Sequence, residues 1–135
     1  MIVLDLDGTL TNDKKEITPK TKNALMKAQE KGVRIVLASG RPTYGITALA
    51  EELELATHGG YILAFNGGKV TNCENGQVMF EQILDESLVS ELYNSAIEAG
   101  MEILTYQGNR IAASETENKY VKHEAFINKM PLVKY

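Results

Sequence analysis

Three short apolar runs alternate with two stretches of helical periodicity, and this alternation limits the fold more than any other feature of the chain. The runs are "IVL" from Ile2, "VRIVLAS" from Val33 and "YILAFN" from Tyr61. Apolar runs without polar alternation read as strands buried on both faces, and such strands need helices above and below them. Strand, helix, strand, helix, strand therefore predicts a parallel α/β sheet. The first helix is well punctuated. Thr18 can cap it, Pro19 suits its first turn, Gly32 follows its end, and Leu25, Met26 and Ala28 supply an apolar face. A second helix is expected from Thr43 to Leu55, with Ile46, Leu49, Ala50 and Leu53 at helical spacing.

From Gly67 the pattern changes. Asn75-Gly76, inside "KVTNCENGQVMFEQ", is a strong hairpin signal between two short strands. Asp85 can cap a helix whose apolar face is Leu88, Val89, Leu92, Tyr93, Ala96 and Ile97, ending at Gly100. "MEILTYQGNRIAAS" reads as a second hairpin around Gln107-Gly108-Asn109, and a helix from Asn118 to Asn128 leads to Pro131. The expected organisation is thus a partial doubly wound, Rossmann-like sheet over residues 1–67 and part of an α+β layer over residues 68–135.

Composition removes several function classes. The 135 residues carry a formal charge of −4 and no basic stripe, which argues against a nucleic-acid partner. The densest basic patches, "DKKE" and "NKYVKH", read as solvated faces. No apolar run reaches the roughly 18 residues a membrane helix needs, and Met1 passes directly into strand residues without a signal-peptide pattern. A lone cysteine, Cys73, allows no intrachain disulfide and fits a reducing cytoplasm. The expectation is a cytoplasmic protein without nucleic-acid or membrane partners. His58 and His123 have no ligand-spaced neighbours and read as surface or turn residues.

In an open α/β sheet the functional loops lie at the carboxyl ends of the strands, and two motifs fall there. The first, "DLDGT", sets Asp5 and Asp7 on one short turn with Gly8 and Thr9 behind them. Carboxylates are costly to bury unless a metal or a shared proton compensates. One of the pair can attack phosphorus while the other exchanges a proton with the leaving group. A divalent ion on Asp5 would keep it ionised, and the neighbouring negative charge would favour protonation of Asp7. The bland alternative is a capped turn in which Asp7 bonds local amides. The second motif, "ASGRP", offers the Ser39 hydroxyl and the Gly40 amide near a helix start, where phosphate is favoured; on its own it is merely a turn.

"DLDGTLTND" and "LASGRP" together resemble the first two motifs of the haloacid dehalogenase-like hydrolases, and "ILAFNGGKV" resembles the step into the cap of the Cof-type branch. The resemblance covers the whole chain in outline and is strongest over the first 70 residues or so. It implies a phosphatase acting on small phosphorylated metabolites such as sugar phosphates, with residues 68–135 as the first part of an α/β cap. It makes Asp5 the nucleophile that forms an aspartyl-phosphate and Asp7 the general acid and base. It places Mg²⁺ on the Asp5 carboxylate and the Asp7 carbonyl. Ser39, Gly40 and the backbone around Leu6 would hold the phosphoryl group, with Arg41 and Asn66 near the cap entrance. Two later family elements, a lysine and a "GDxxND"-like acidic loop, do not occur in this sequence. The chain is therefore expected to be the N-terminal half of a longer enzyme, weak or inactive by itself.

Rival readings are a phosphomutase using the same aspartate chemistry and a non-catalytic stub that binds phosphate or a partner. A receiver domain fits poorly, because its phospho-accepting aspartate follows the third strand and here that strand ends in Asn66. A calcium loop fits less well still, since "DLDGTLTND" has the wrong spacing and no closing glutamate.

Overall fold

In the computed structural model, which describes residues 1–135, the three apolar runs form β1 (Ile2–Asp5), β2 (Ile35–Ala38) and β3 (Tyr61–Ala64). β1 pairs with β2 and β2 with β3, both in parallel. The crossovers carry α1 (Pro19–Glu30) and, between β2 and β3, α2 (Tyr44–Glu52) with the single turn α3 (Leu55–His58). Thr18 caps α1 by accepting a bond from the Thr21 amide, and Pro19 occupies its first turn. The core of this layer is aliphatic. Leu6, Ile35, Leu37, Ile46, Leu53 and Leu55 are all wholly buried in it.

The expected single helix over 43–55 is broken. Glu54 turns into the left-handed region at φ 54°, and α3 starts afresh at Leu55. The cause lies in the two leucines around it. In a continuous helix two successive positions sum to a rotation of roughly 200°, which would put Leu53 and Leu55 on opposite faces. The reversal at Glu54 brings both into the core.

β1 also departs from expectation. Its residues read as a strand buried on both faces, yet Ile2 and Val3 are exposed. β1 lies at one end of the sheet order β1-β2-β3-β4-β5, so it has a neighbour on one side only, whereas the central β2 is buried from Ile35 to Leu37.

The Asn75-Gly76 hairpin forms between β4 (Lys69–Asn72) and β5 (Val78–Glu81), with Gly76 at φ +71°. β4 adds antiparallel to β3, making one five-stranded mixed sheet. The hairpin therefore belongs to the first layer, and the chain divides into the units Met1–Gln82 and Ile83–Tyr135 rather than after residue 67.

The second unit holds α4 (Val89–Glu98), β6 (Leu104–Gln107), β7 (Arg110–Ala113), α5 (Lys119–Asn128) and β8 (Leu132–Lys134). β7 is central, antiparallel to β6 and parallel to β8, and its Ile111, Ala112 and Ala113 are buried. β8 carries no sequence signal, being three residues directly after Pro131. Asn118 caps α5 through the Tyr120 amide, as its position suggests. The apolar face read for α4 exists, but no residue of that helix is buried.

Candidate active site

Register places the two motifs side by side. Asp5 ends β1 opposite Ala38, the last residue of β2, so the turn that starts at Ser39 follows the strand end next to the one that bears Asp5. The loop after β1 is tightly wound. The Leu6 carbonyl accepts from the amides of Leu10 (3.1 Å) and Thr11 (2.9 Å) and from the Thr11 hydroxyl (2.9 Å). Leu6 is wholly buried, which anchors a turn whose two flanking carboxylates face outwards. Asp5 is exposed, and one of its oxygens accepts from the Thr9 hydroxyl at 3.1 Å.

Asp7 has different company. Arg41 grips it with two bonds, Nε to Oδ2 at 2.9 Å and Nη2 to Oδ1 at 2.6 Å, and Lys15 Nζ donates to Oδ1 at 2.8 Å. The guanidinium is buried, at 6% exposure, and steadied from behind by a bond from Nη1 to the Gly45 carbonyl. A two-pronged arginine–carboxylate pair is among the strongest polar contacts available. Hydrogen bonding from Arg41, opposed by partial burial and reinforced by Lys15, holds the Asp7 carboxyl below its ordinary range. This reverses the sequence expectation. Proximity in sequence to Asp5 suggests a protonated Asp7, but two cations in direct contact favour the carboxylate instead.

The Ser39 turn is stitched to the end of β3. Ser39 N donates to Leu63 O, Asn66 N to Ser39 O, and Phe65 N to Arg41 O, at 2.9, 3.1 and 3.0 Å. The Ser39 hydroxyl accepts from the Arg41 amide at 3.2 Å, which leaves its own proton available to a ligand. Space at Gly40 is tight: a Cβ there would stand 3.0 Å from the Asn66 side-chain oxygen. Phe65 and Asn66 both adopt left-handed φ, 53° and 56°, a conformation costing a residue with a side chain about 1–2 kcal/mol. Strain of this kind gathers where surrounding bonds over-determine a turn.

Every residue the sequence singles out sits in the first unit, with Asp5, Asp7, Ser39 and Gly40 at adjacent strand ends. The sequence reading leaves Lys15 on a solvated face, whereas the structure sets it on Asp7. Its signal was hidden in the turn chemistry: Asn12 Oδ1 accepts from the amides of Lys14 and Glu16, winding the loop so that Lys15 points inward. The sequence points to Arg41 but not to its partner, because nothing in linear spacing joins positions 7 and 41. As a cation site, the turn offers carboxylate and carbonyl oxygens, the hard donors that Mg²⁺ prefers. Within this chain no cluster of three His, Cys, Asp or Glu side chains is present, so these residues supply only part of an Mg²⁺ shell.

An open α/β sheet with paired carboxylates at the end of its first strand and a Ser-Gly turn beside them defines a narrow class of protein. The chain belongs to the haloacid dehalogenase-like hydrolases, whose family model matches residues 2–134. A Streptococcus pyogenes serotype M6 protein is 33% identical over 134 residues, 98% of this chain and 49% of that protein. Phosphatase YwpJ of Bacillus subtilis is 30% identical over 82% of this chain and 40% of its own length. The crystal structure of a haloacid dehalogenase-like hydrolase from Bacteroides thetaiotaomicron superposes with a TM-score of 0.94 at 48% identity, covering 98% of this chain and 50% of that one. The chain thus spans about half the length of these relatives. No helix is long and apolar enough to cross a membrane.

Proposed function

We propose that this chain carries the phosphoryl-accepting side of a phosphatase site for small phosphate monoesters such as sugar phosphates. The observation that supports the reading is the Asp5–Ala38 register, in which the strand end bearing the exposed Asp5 neighbours the strand end that leads into the Ser39-Gly40 turn. Family membership and the phosphatase name of a Bacillus subtilis relative support it. In this reading Met1–Gln82 is the catalytic core, Ile83–Tyr135 is the first part of the cap, and the protein works in the cytoplasm.

An Asp5 carboxylate oxygen attacks phosphorus, the phosphorus–ester oxygen bond breaks, and the leaving oxygen takes a proton from Asp7. Water then adds to the aspartyl-phosphate and gives a proton to Asp7; the bond from phosphorus to Asp5 breaks and phosphate departs. The Ser39 hydroxyl, the Gly40 amide and the backbone around Leu6 hold the non-bridging oxygens. The Asp5 carboxylate and the Asp7 carbonyl would hold Mg²⁺, which would supply charge neutralisation to the transferring group. Asp7 rests as a carboxylate on Arg41, so it must acquire a proton before it can act as the acid.

Phosphate release from p-nitrophenyl phosphate, with Mg²⁺ in excess, tests the reading. Slow turnover that Asp5→Asn abolishes is the expected result. Turnover that survives Asp5→Asn overturns the assignment of Asp5 as the nucleophile.

A further inference from the structure

The loop between β1 and α1 holds two adjacent lysines with opposite fates. Lys14 is exposed, while the Lys15 side chain keeps only 18% of its surface open and ends 2.8 Å from Asp7 Oδ1. Lys15 also sits at φ 62°, the left-handed region where glycine or asparagine is at home. The distortion is fixed locally. Asn12 Oδ1 takes the amides of Lys14 and Glu16, Asn12 N donates to Glu16 O, and Lys15 N donates to Asn12 O. A solvated lysine needs none of this. The turn is shaped so that one long side chain reaches one oxygen.

That oxygen is already engaged. A carboxylate oxygen has two lone-pair sites in the carboxylate plane, and Oδ1 of Asp7 meets both Arg41 Nη2 and Lys15 Nζ. Oδ2 meets Arg41 Nε alone, which leaves it one open site. Arg41 on its own fixes the plane of the carboxylate but treats its two oxygens almost alike; Lys15 makes them unlike.

We infer that Lys15 is a positioning residue: by saturating Oδ1 it leaves Oδ2 as the only oxygen of Asp7 able to pass a proton to the leaving group. The inference rests on the phosphatase reading above, in which Asp7 is the acid and base. It adds the choice of atom and the residue that makes the choice. Because Lys15 acts through Asp7, its effect scales with how much the leaving group needs a proton. An alkyl or sugar phosphate needs one; p-nitrophenyl phosphate, whose leaving phenolate is stable, scarcely does.

The test compares kcat/KM for an alkyl phosphate and for p-nitrophenyl phosphate, a parameter that reports steps through the first phosphoryl transfer. Wild type, Lys15→Met, Lys15→Arg and Asp7→Asn are measured on the 135-residue chain with Mg²⁺. Misplacing a general acid costs a large part of its contribution, so Lys15→Met should lower the alkyl value by roughly tenfold or more. It should lower the p-nitrophenyl value by no more than about threefold, since that ester draws little on the acid. Lys15→Arg should recover most of the loss. Equal losses on both esters would make Lys15 a structural or phosphate-binding residue and overturn the inference, as would no loss on either. Asp7→Asn separates this from failure of the underlying reading. If that variant does not discriminate between the esters, Asp7 is not the acid, and both proposals fall together. A readout independent of turnover is the side-chain ammonium resonance of Lys15 in ¹⁵N spectra. It should be protected from exchange in wild type and lost in Asp7→Asn; an ammonium that exchanges like that of Lys14 overturns the contact itself.

Discussion

Asp7 ties three parts of the first unit together: the turn after β1 that bears it, the Lys15 loop, and the Arg41 turn after β2. These contacts favour its ionised form, so the folded chain holds this proton more weakly than the unfolded chain does. A depressed carboxyl contributes stability above the unfolded value, about 3.9 for aspartate, and that contribution disappears as pH falls through the folded value. Urea midpoints at pH 7 and in the range below pH 4 should therefore separate for wild type and converge for Asp7→Asn. Equal acid sensitivity in the two proteins would mean that the ion pairs add nothing to the fold. Cys73 behaves in the opposite sense: partial burial pushes its thiol up, in keeping with a residue that has no chemical task.

Among the elements, those legible in the sequence are the ones whose residues satisfy one another locally. Thr18 and Pro19 announce α1, Asn118 announces α5, and Asn75-Gly76 and Gly108-Asn109 announce the two hairpins. In each case a side chain or a glycine answers a backbone group within a few residues. What escaped depends on distant partners. The exposure of Ile2 and Val3 follows from the place of β1 at the sheet edge, which strand periodicity does not encode. The division at Gln82 follows from β4 pairing with β3, and the Asp7–Arg41 pair from two loops meeting across the sheet. The break at Glu54 lies between these cases, because Leu53 and Leu55 were visible but the shared core that draws both of them was not. There a glutamate occupies a left-handed conformation that glycine adopts freely. Glu54→Gly should therefore raise the stability of the chain, by up to about 1 kcal/mol, measured by urea unfolding. A loss of stability would show that the glutamate side chain contributes more than its backbone costs.

At the scale of the molecule, the larger cluster of buried aliphatic residues lies in Met1–Gln82, while the second unit buries Ile111, Ala113 and Val121 but leaves the apolar face of α4 uncovered. The candidate active site needs only the first unit for its named residues. The edge position of β1 has a consequence of another kind. A terminal strand with two exposed aliphatic side chains and one unpaired row of amides and carbonyls is a template on which a further strand can add. Concentrated solutions of the chain should then build oligomers through sheet extension, visible as light scattering that grows with protein concentration. Charged residues at an edge, lysine above all, are the usual guard against such growth. Val3 is 57% exposed and can accept that change without disturbing the core. Val3→Lys should suppress the scattering while leaving the urea midpoint in place, so that colloidal behaviour and fold stability part company at one residue, two positions from the carboxylate that begins the site.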